Sequence, residues 1–278
     1  MRRLHVPNIY GNLFSVAQKV VAITGAGQGI GLALAEGFAA AGANVVLVDL
    51  NAETLAQART KVEKISKHVT SVMTDVSADG APAKIVAASK ALGRRVDCLI
   101  NNAGIMSYTD SRTITDDEFD RMIKINLKAP IRIMKAVLYE MESQGSGSII
   151  NIGSSWSSRA SVFNQSGGGV DYCSAKAALQ AYTRGAAQNV AEKRIRVNAI
   201  APGGVDTPMH AHHRDFLMEY EKYIRLGRMT VAEDLVGTAI FLASEASSSR
   251  SQPDRVRLRE QGRKQSARSS HAVCLPTW

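Results

Sequence analysis

The chain has 278 residues, 45% hydrophobic and only 21% charged, enough to fill a large core, and no run of eighteen or more apolar residues provides a membrane-spanning helix. A net charge of +9 would suit nucleic acid or an acidic membrane surface if it covered the fold, but residues 250–278 hold seven basic side chains against two acidic ones and so carry +5 of it. Neither partner is therefore expected of the body. Met1 to Asn8 lacks the apolar core of an export signal, and the three cysteines (Cys98, Cys173, Cys274) share no metal-ligand spacing, so the expected location is the cytoplasm and the thiols are read as structural.

Pro7 and Gly11 break any period over residues 1–18. From Lys19 the pattern changes. Val20-Val-Ala-Ile23 is a continuous apolar run, as expected of a parallel strand covered on both faces, and it enters Thr24-Gly-Ala-Gly-Gln-Gly-Ile-Gly31 directly. A helix over 32–41 and a second strand over 43–48, ending on Asp49, complete a βαβ unit. A tight turn needs residues that tolerate positive φ, and a pyrophosphate reaches a helix N-terminus only where side chains are absent, so Gly25, Gly29 and Gly31 are the candidates. Asp49 stands 18 positions beyond Gly31, where a carboxylate can accept the hydroxyls of an adenosine ribose and repel a 2′-phosphate. Gln28 occupies the turn and no Arg or Lys directly follows Asp49, which favours NAD over NADP.

The alternation continues with a helix over 52–67, a strand over 69–73 ending at Thr74-Asp75-Val76, a helix over 81–92 and a strand over 97–100 ending at Asn101-Asn-Ala-Gly104. This predicts an α/β fold, a Rossmann-like doubly wound parallel sheet in one domain over 1–248, with ligands at the carboxyl ends of the strands. Asp75 falls at such an end; its plain alternative is a helix N-cap. A long helix is expected from Thr115 to about Glu142, with Asn126 inside it, a mediocre helix former whose plain reading is a solvent-facing position. A strand over 148–152 leads to Gly153-Ser154-Ser155, a helix runs from Tyr172 to about Glu192, and a strand over 195–201 leads to Pro202-Gly-Gly-Val-Asp-Thr-Pro-Met209. Tyr172 and Lys176 lie one helical turn apart on a shared face. An ammonium beside the phenol is expected to favour phenolate and bring its pKa down towards working pH, which is an acid/base site in outline.

These motifs, in this order, resemble the short-chain dehydrogenase/reductase family in its oxidoreductase branch: the glycine turn, Asp75-Val76, Asn101-Asn-Ala-Gly104, Asn126 in Lys-Ile-Asn-Leu, Ser154, Tyr172-x-x-x-Lys176, Asn198, and Pro202-Gly203 with Thr207. The match runs from about Gln18 to Ser248. The resemblance implies a seven-stranded parallel sheet, a homodimer or homotetramer, and an NAD(P)-dependent oxidoreductase that interconverts a secondary alcohol and a ketone. Tyr172 would be the acid in reduction and the base in oxidation. Ser154 would hydrogen-bond the substrate oxygen, with Ser155 as the fallback, and Lys176 would lower the Tyr172 pKa and bind ribose hydroxyls. Asn126 would hold a water that feeds protons to Lys176. Cofactor contacts would come from Gly25, Gln28, Gly29, Ile30, Gly31, Asp49, Asp75, Val76, Asn102, Ala103, Gly104, Tyr172, Lys176, Pro202, Gly203, Val205 and Thr207. The alternative is a catalytically impaired dinucleotide-binding or regulatory relative.

The chain departs from the family pattern in two places. The stretch between Ser154 and Tyr172 is longer than is commonest, with the extra residues assigned to Gln165–Gly169, a loop that either reshapes the substrate pocket or simply moves. After Ser248 the family's last hydrophobic strand gives way to a basic, apolar-poor segment, expected to be disordered over 249–278 and to leave the seventh strand missing. His210, His212 and His213 lie in the substrate lid without a carboxylate partner, so no metal is expected there.

Overall fold

The computed structural model describes residues 12–92, 95–157, 169–211, 214–222, 224 and 226–249. Six short strands carry the core: β1 (Val20–Thr24), β2 (Asn44–Asp49), β3 (Val69–Met73), β4 (Cys98–Asn101), β5 (Gly147–Ile152) and β6 (Ile195–Ile200). All pair in parallel, in the order β3-β2-β1-β4-β5-β6. Because β1 neighbours both β2 and β4, the winding reverses between β1 and β4, and a crevice opens beyond their carboxyl ends.

The apolar runs are continuous because both faces of the sheet are covered. Val21 and Ile23 of β1 pack with Leu34 and Phe38 of α1 (Gly29–Ala40), and with Leu235 and Leu242, the latter on α8 (Val236–Ala243). Val20 and Ala22 point the other way, to Ile133, Met134 and Val137 of α5 (Ala129–Gln144) and Ala187 of α6 (Val170–Val190). Each of these Leu, Ile and Val side chains removed from water contributes about 1.5–3 kcal/mol. The helices α2 (Ala52–Ile65), α3 (Ala81–Ala91) and α4 (Asp116–Ile123) complete the two layers, with α7 (Arg214–Glu221) over the carboxyl edge. Among the described residues no helix is long and apolar enough to cross a membrane.

Element types match the sequence reading and the ends shift by a few residues, with two differences of substance. The single long helix expected from Thr115 to Glu142 is α4 and α5 joined by a π-helical turn over Lys124–Lys128, and Asn126, expected at a solvent-facing position, is fully buried within it. The sheet has six strands among the described residues, and the question of a seventh strand and a disordered tail falls on 250–278, outside them. β6 is tied down by a buried cation: Arg196 donates to the carbonyls of Leu242 and Ser244 at the end of α8, where Ser148 Oγ of β5 also donates to Leu242 O at 2.8 Å. A guanidinium is favoured at that end because helix carbonyls there lack partners.

Candidate active site

The turn between β1 and α1 is shaped by backbone geometry. Gly25 and Gly29 adopt φ of +64° and +54°, the left-handed region that glycine enters without a Cβ penalty. Gly31 is needed for a different reason: a Cβ there would stand 2.0 Å from Gly25 O and 2.7 Å from Asn102 Nδ2. No side chain caps the start of α1, so its first amides remain available to an anion. Thr24 Oγ1 accepts from the amides of Asn102 and Ala103 at 3.0 Å each, while Asn102 Nδ2 donates to the carbonyls of Thr24 and Gly25, also at 3.0 Å. The ends of β1 and β4 are thereby locked into one floor.

Asp49 ends β2 beside that turn, accepting from Gly27 N at 2.9 Å on Oδ2 and from Asn51 N at 3.0 Å on Oδ1. Gly27, outside the set Gly25, Gly29 and Gly31, is needed as well: a Cβ on it would lie 2.6 Å from Thr54 Oγ1 and 2.9 Å from Asp49 Oδ2, so this glycine allows the carboxylate its place. Asp75 is not a helix cap. Its Oδ1 accepts from Ser77 N at 2.7 Å in a tight turn, while α3 starts later, after Gly80.

These groups share one cleft of about 390 Å³ that runs from Asp49 and Asp75 to Ser154, Tyr172 and Lys176. Of the residues predicted from sequence, only Gly31 and Asn126 stay out of its wall, the first beneath the turn and the second behind Gly104. Ser154 lines the cleft and Ser155 does not; the Ser155 amide is held by Pro202 O at 2.8 Å. The Ser154 oxygen accepts from Trp156 N at 3.2 Å, and its hydroxyl is hydrogen-bonded to Tyr172. Lys176, 4% exposed, donates from Nζ to Ile152 O at 2.7 Å and stands 5.8 Å from the centre of the Tyr172 ring. Asn126 uses its amide on the loop after β4, donating to Ile105 O at 2.7 Å and accepting from Ile105 N at 2.9 Å. Asn126 and Lys176 both flank Gly104, where an added Cβ would be 2.9 Å from Asn126 Oδ1 and 3.5 Å from Lys176 Nζ.

The expectation of a depressed phenol is overturned. Burial pushes Tyr172 up to about 12, and the hydrogen bond from Ser154 offsets only part of that rise. Burial also drives Lys176 down to about 8. Desolvation dominates at both groups, so at neutral pH the phenol keeps its proton. The signs set a stability test. Below about 8 the folded chain holds a buried ammonium, whereas an exposed lysine keeps its proton to 10.5, so this group's penalty is full at low pH and is relieved as pH rises from about 8 towards 10.5. Lys176→Met should therefore raise the melting temperature at pH 7, with the gain shrinking by pH 10; a gain that does not change with pH would remove the assignment.

Three further features join residues that the sequence does not pair, although the loop after β4, the stretch before Tyr172 and the lid are where pocket specificity is expected. Asp171 is fully buried and receives Ser107 Oγ at 2.8 and 2.7 Å on its two oxygens, which ties the loop after β4 to the start of α6 next to Tyr172. The Tyr108 hydroxyl lies 2.6 Å from Nδ1 of His210, which lines the cleft. Trp156 lies between the rings of Tyr172 and Tyr220. Residues 165–168 of the proposed insertion, His212 and His213 lie outside the described residues; Gly169 is described, at φ +85° before α6. Among the described residues no three His, Cys, Asp or Glu side chains form a group able to hold a metal.

The family model for short chain dehydrogenases matches residues 19–217. The chain is a member of that family. It is 36% identical to the galactitol 2-dehydrogenase of Agrobacterium fabrum over 81% of this chain and 90% of that one. It is also 34% identical to a 3-oxoacyl-(acyl-carrier-protein) reductase of Chlamydia trachomatis, over 84% and 93%. A solved 3-oxoacyl-(acyl-carrier-protein) reductase of Agrobacterium tumefaciens with NADP bound superposes with a TM-score of 0.80 at 26% identity, covering 89% of this chain and 96% of that one. Short-chain dehydrogenases are oxidoreductases that use a nicotinamide dinucleotide. The cradle over Gly31 and the uncapped start of α1 fit such a group.

Proposed function

We propose that this short-chain dehydrogenase is an NAD-dependent alcohol dehydrogenase or carbonyl reductase acting on a secondary alcohol and its ketone. The observation that carries the reading is the convergence of the Ser154 hydroxyl, the Tyr172 phenol and Lys176 Nζ on one end of a cleft whose other end holds the glycine turn and Asp49. A bound nicotinamide dinucleotide would supply or accept the hydride. The chain's own residues handle the oxygen and its proton. Ser154 accepts from Trp156 N and is hydrogen-bonded to the Tyr172 hydroxyl, and a carbonyl oxygen seated between the two hydroxyls would receive a hydrogen from each. Tyr172 protonates that oxygen in reduction and recovers the proton in oxidation. Lys176 would hold the nicotinamide ribose, and Asn126 fixes the Gly104–Ile105 loop beneath that end of the cleft. Such a reductase is expected to be a homodimer or homotetramer.

The choice of NAD rests on Asp49. Its carboxylate would face an adenosine 2′-phosphate as like charge to like charge, a repulsion that weakens NADP binding. Asp49→Ser should raise kcat/KM for NADPH by about 10- to 100-fold while lowering it for NADH. An unchanged coenzyme ratio would remove Asp49 from the choice. Reduction of a ketone with deuterium-labelled NADH should place the label on the carbinol carbon; product without label would sink the oxidoreductase reading.

A further inference from the structure

The substrate end of the cleft is walled by aromatic and aliphatic groups from separate segments. Trp156, two residues after Ser154, meets the Tyr172 ring edge to face, centroids 6.3 Å apart at 89°, and the Tyr220 ring of α7 at 6.2 Å and 73°. Tyr220 is only 5% exposed because Gly204 makes room for it: a Cβ on Gly204 would stand 2.3 Å from Tyr220 Cε1. Leu217, one turn earlier on α7, is 6% exposed, and Met106 and Met209 add to the same cleft wall. His210 also lines the cleft, with its Nδ1 2.6 Å from the Tyr108 hydroxyl.

We propose that the substrate carries its alcohol or ketone on an apolar ring, and that Trp156 and Tyr220 select it. This rests on the oxidoreductase reading above. Ser154 and Tyr172 provide for one oxygen, and rings stacked edge to face favour a further ring lying against them. A polyol would bring several hydroxyls against the indole, the phenol ring, Leu217 and the two methionines that the described residues place on this wall, and each hydroxyl set there would lose water without replacement. A flexible acyl thioester would cover the indole only in part. Arg121, a further cation on the cleft wall, would favour a carboxylate, so a sugar acid belongs in the test.

The experiment measures NADH-dependent reduction of 2-tetralone, cyclohexanone, 5-ketogluconate and acetoacetyl-N-acetylcysteamine by the wild-type protein, Trp156→Ala and Trp156→Phe. The two ring ketones should exceed the other two by about 30-fold or more in kcat/KM. Trp156→Ala should cost 2-tetralone about 30-fold and Trp156→Phe no more than about threefold, with NADH affinity, read by its fluorescence, unchanged in both. Equal or better turnover of 5-ketogluconate or the thioester, or no effect of Trp156→Ala on 2-tetralone, would overturn the ring proposal and leave the oxidoreductase standing. NADH binding without turnover of any of the four carbonyls would overturn both.

Discussion

Tyr172→Phe should lower carbonyl reduction by about a thousandfold, within the range that a positioned proton donor supplies, while NADH binds with unchanged affinity. The substitution keeps the ring against Trp156 and loses one hydrogen bond with Ser154, a cost of about 1 kcal/mol in stability. The protein should therefore melt within a few degrees of wild type. A raised phenol also separates the two directions of the reaction. Reduction needs the protonated phenol, which is present across neutral pH when burial holds it up to about 12. Oxidation needs the phenolate, so alcohol oxidation should climb steadily into alkaline pH while ketone reduction stays flat. Parallel pH profiles in the two directions, or Tyr172→Phe retaining more than a tenth of wild-type turnover, would take the proton transfer away from Tyr172.

Legibility followed the range of each interaction. Strands β1, β2 and β5 were readable because their apolar runs reflect burial on both faces, and the glycine turn because left-handed φ at Gly25 and Gly29 is a local demand. The sequence also paired Tyr172 with Lys176 correctly, since four positions on a helix guarantee proximity. It misjudged the sign of the phenol's shift, because desolvation depends on what α6 packs against rather than on what lies four residues away. Asn126 was misplaced for a related reason. Its helix propensity suggests exposure, but the π turn at Lys124–Lys128 turns it into the core, where Ile105 satisfies its amide. Trp156, Gly204 and Tyr220 form one wall from segments with no common period, so only the fold brings them together.

Gly31→Ala should abolish cofactor binding and lower the melting temperature sharply. The added methyl would lie 2.0 Å from Gly25 O and 2.7 Å from the Asn102 amide, inside contact distance of a backbone carbonyl that a rotamer change cannot move. Relief requires Gly25 or the start of α1 to shift. Gly25 already holds φ +64°, and Asn102 Nδ2 donates to its carbonyl, so any shift also breaks the bond that joins β1 to β4. About 1–3 kcal/mol of overpacking strain would be added to that lost bond. Gly237→Ala is the control: nothing lies within 4 Å of its Cβ position on the exposed side of α8, and alanine there should stabilise the helix by about 0.5–1 kcal/mol. NADH titration and thermal melts of the two variants separate local collapse of the turn from a general intolerance of glycine replacement. A Gly31→Ala protein that binds NADH normally would mean that the turn has another low-energy packing, and that the cradle is not what seats the dinucleotide.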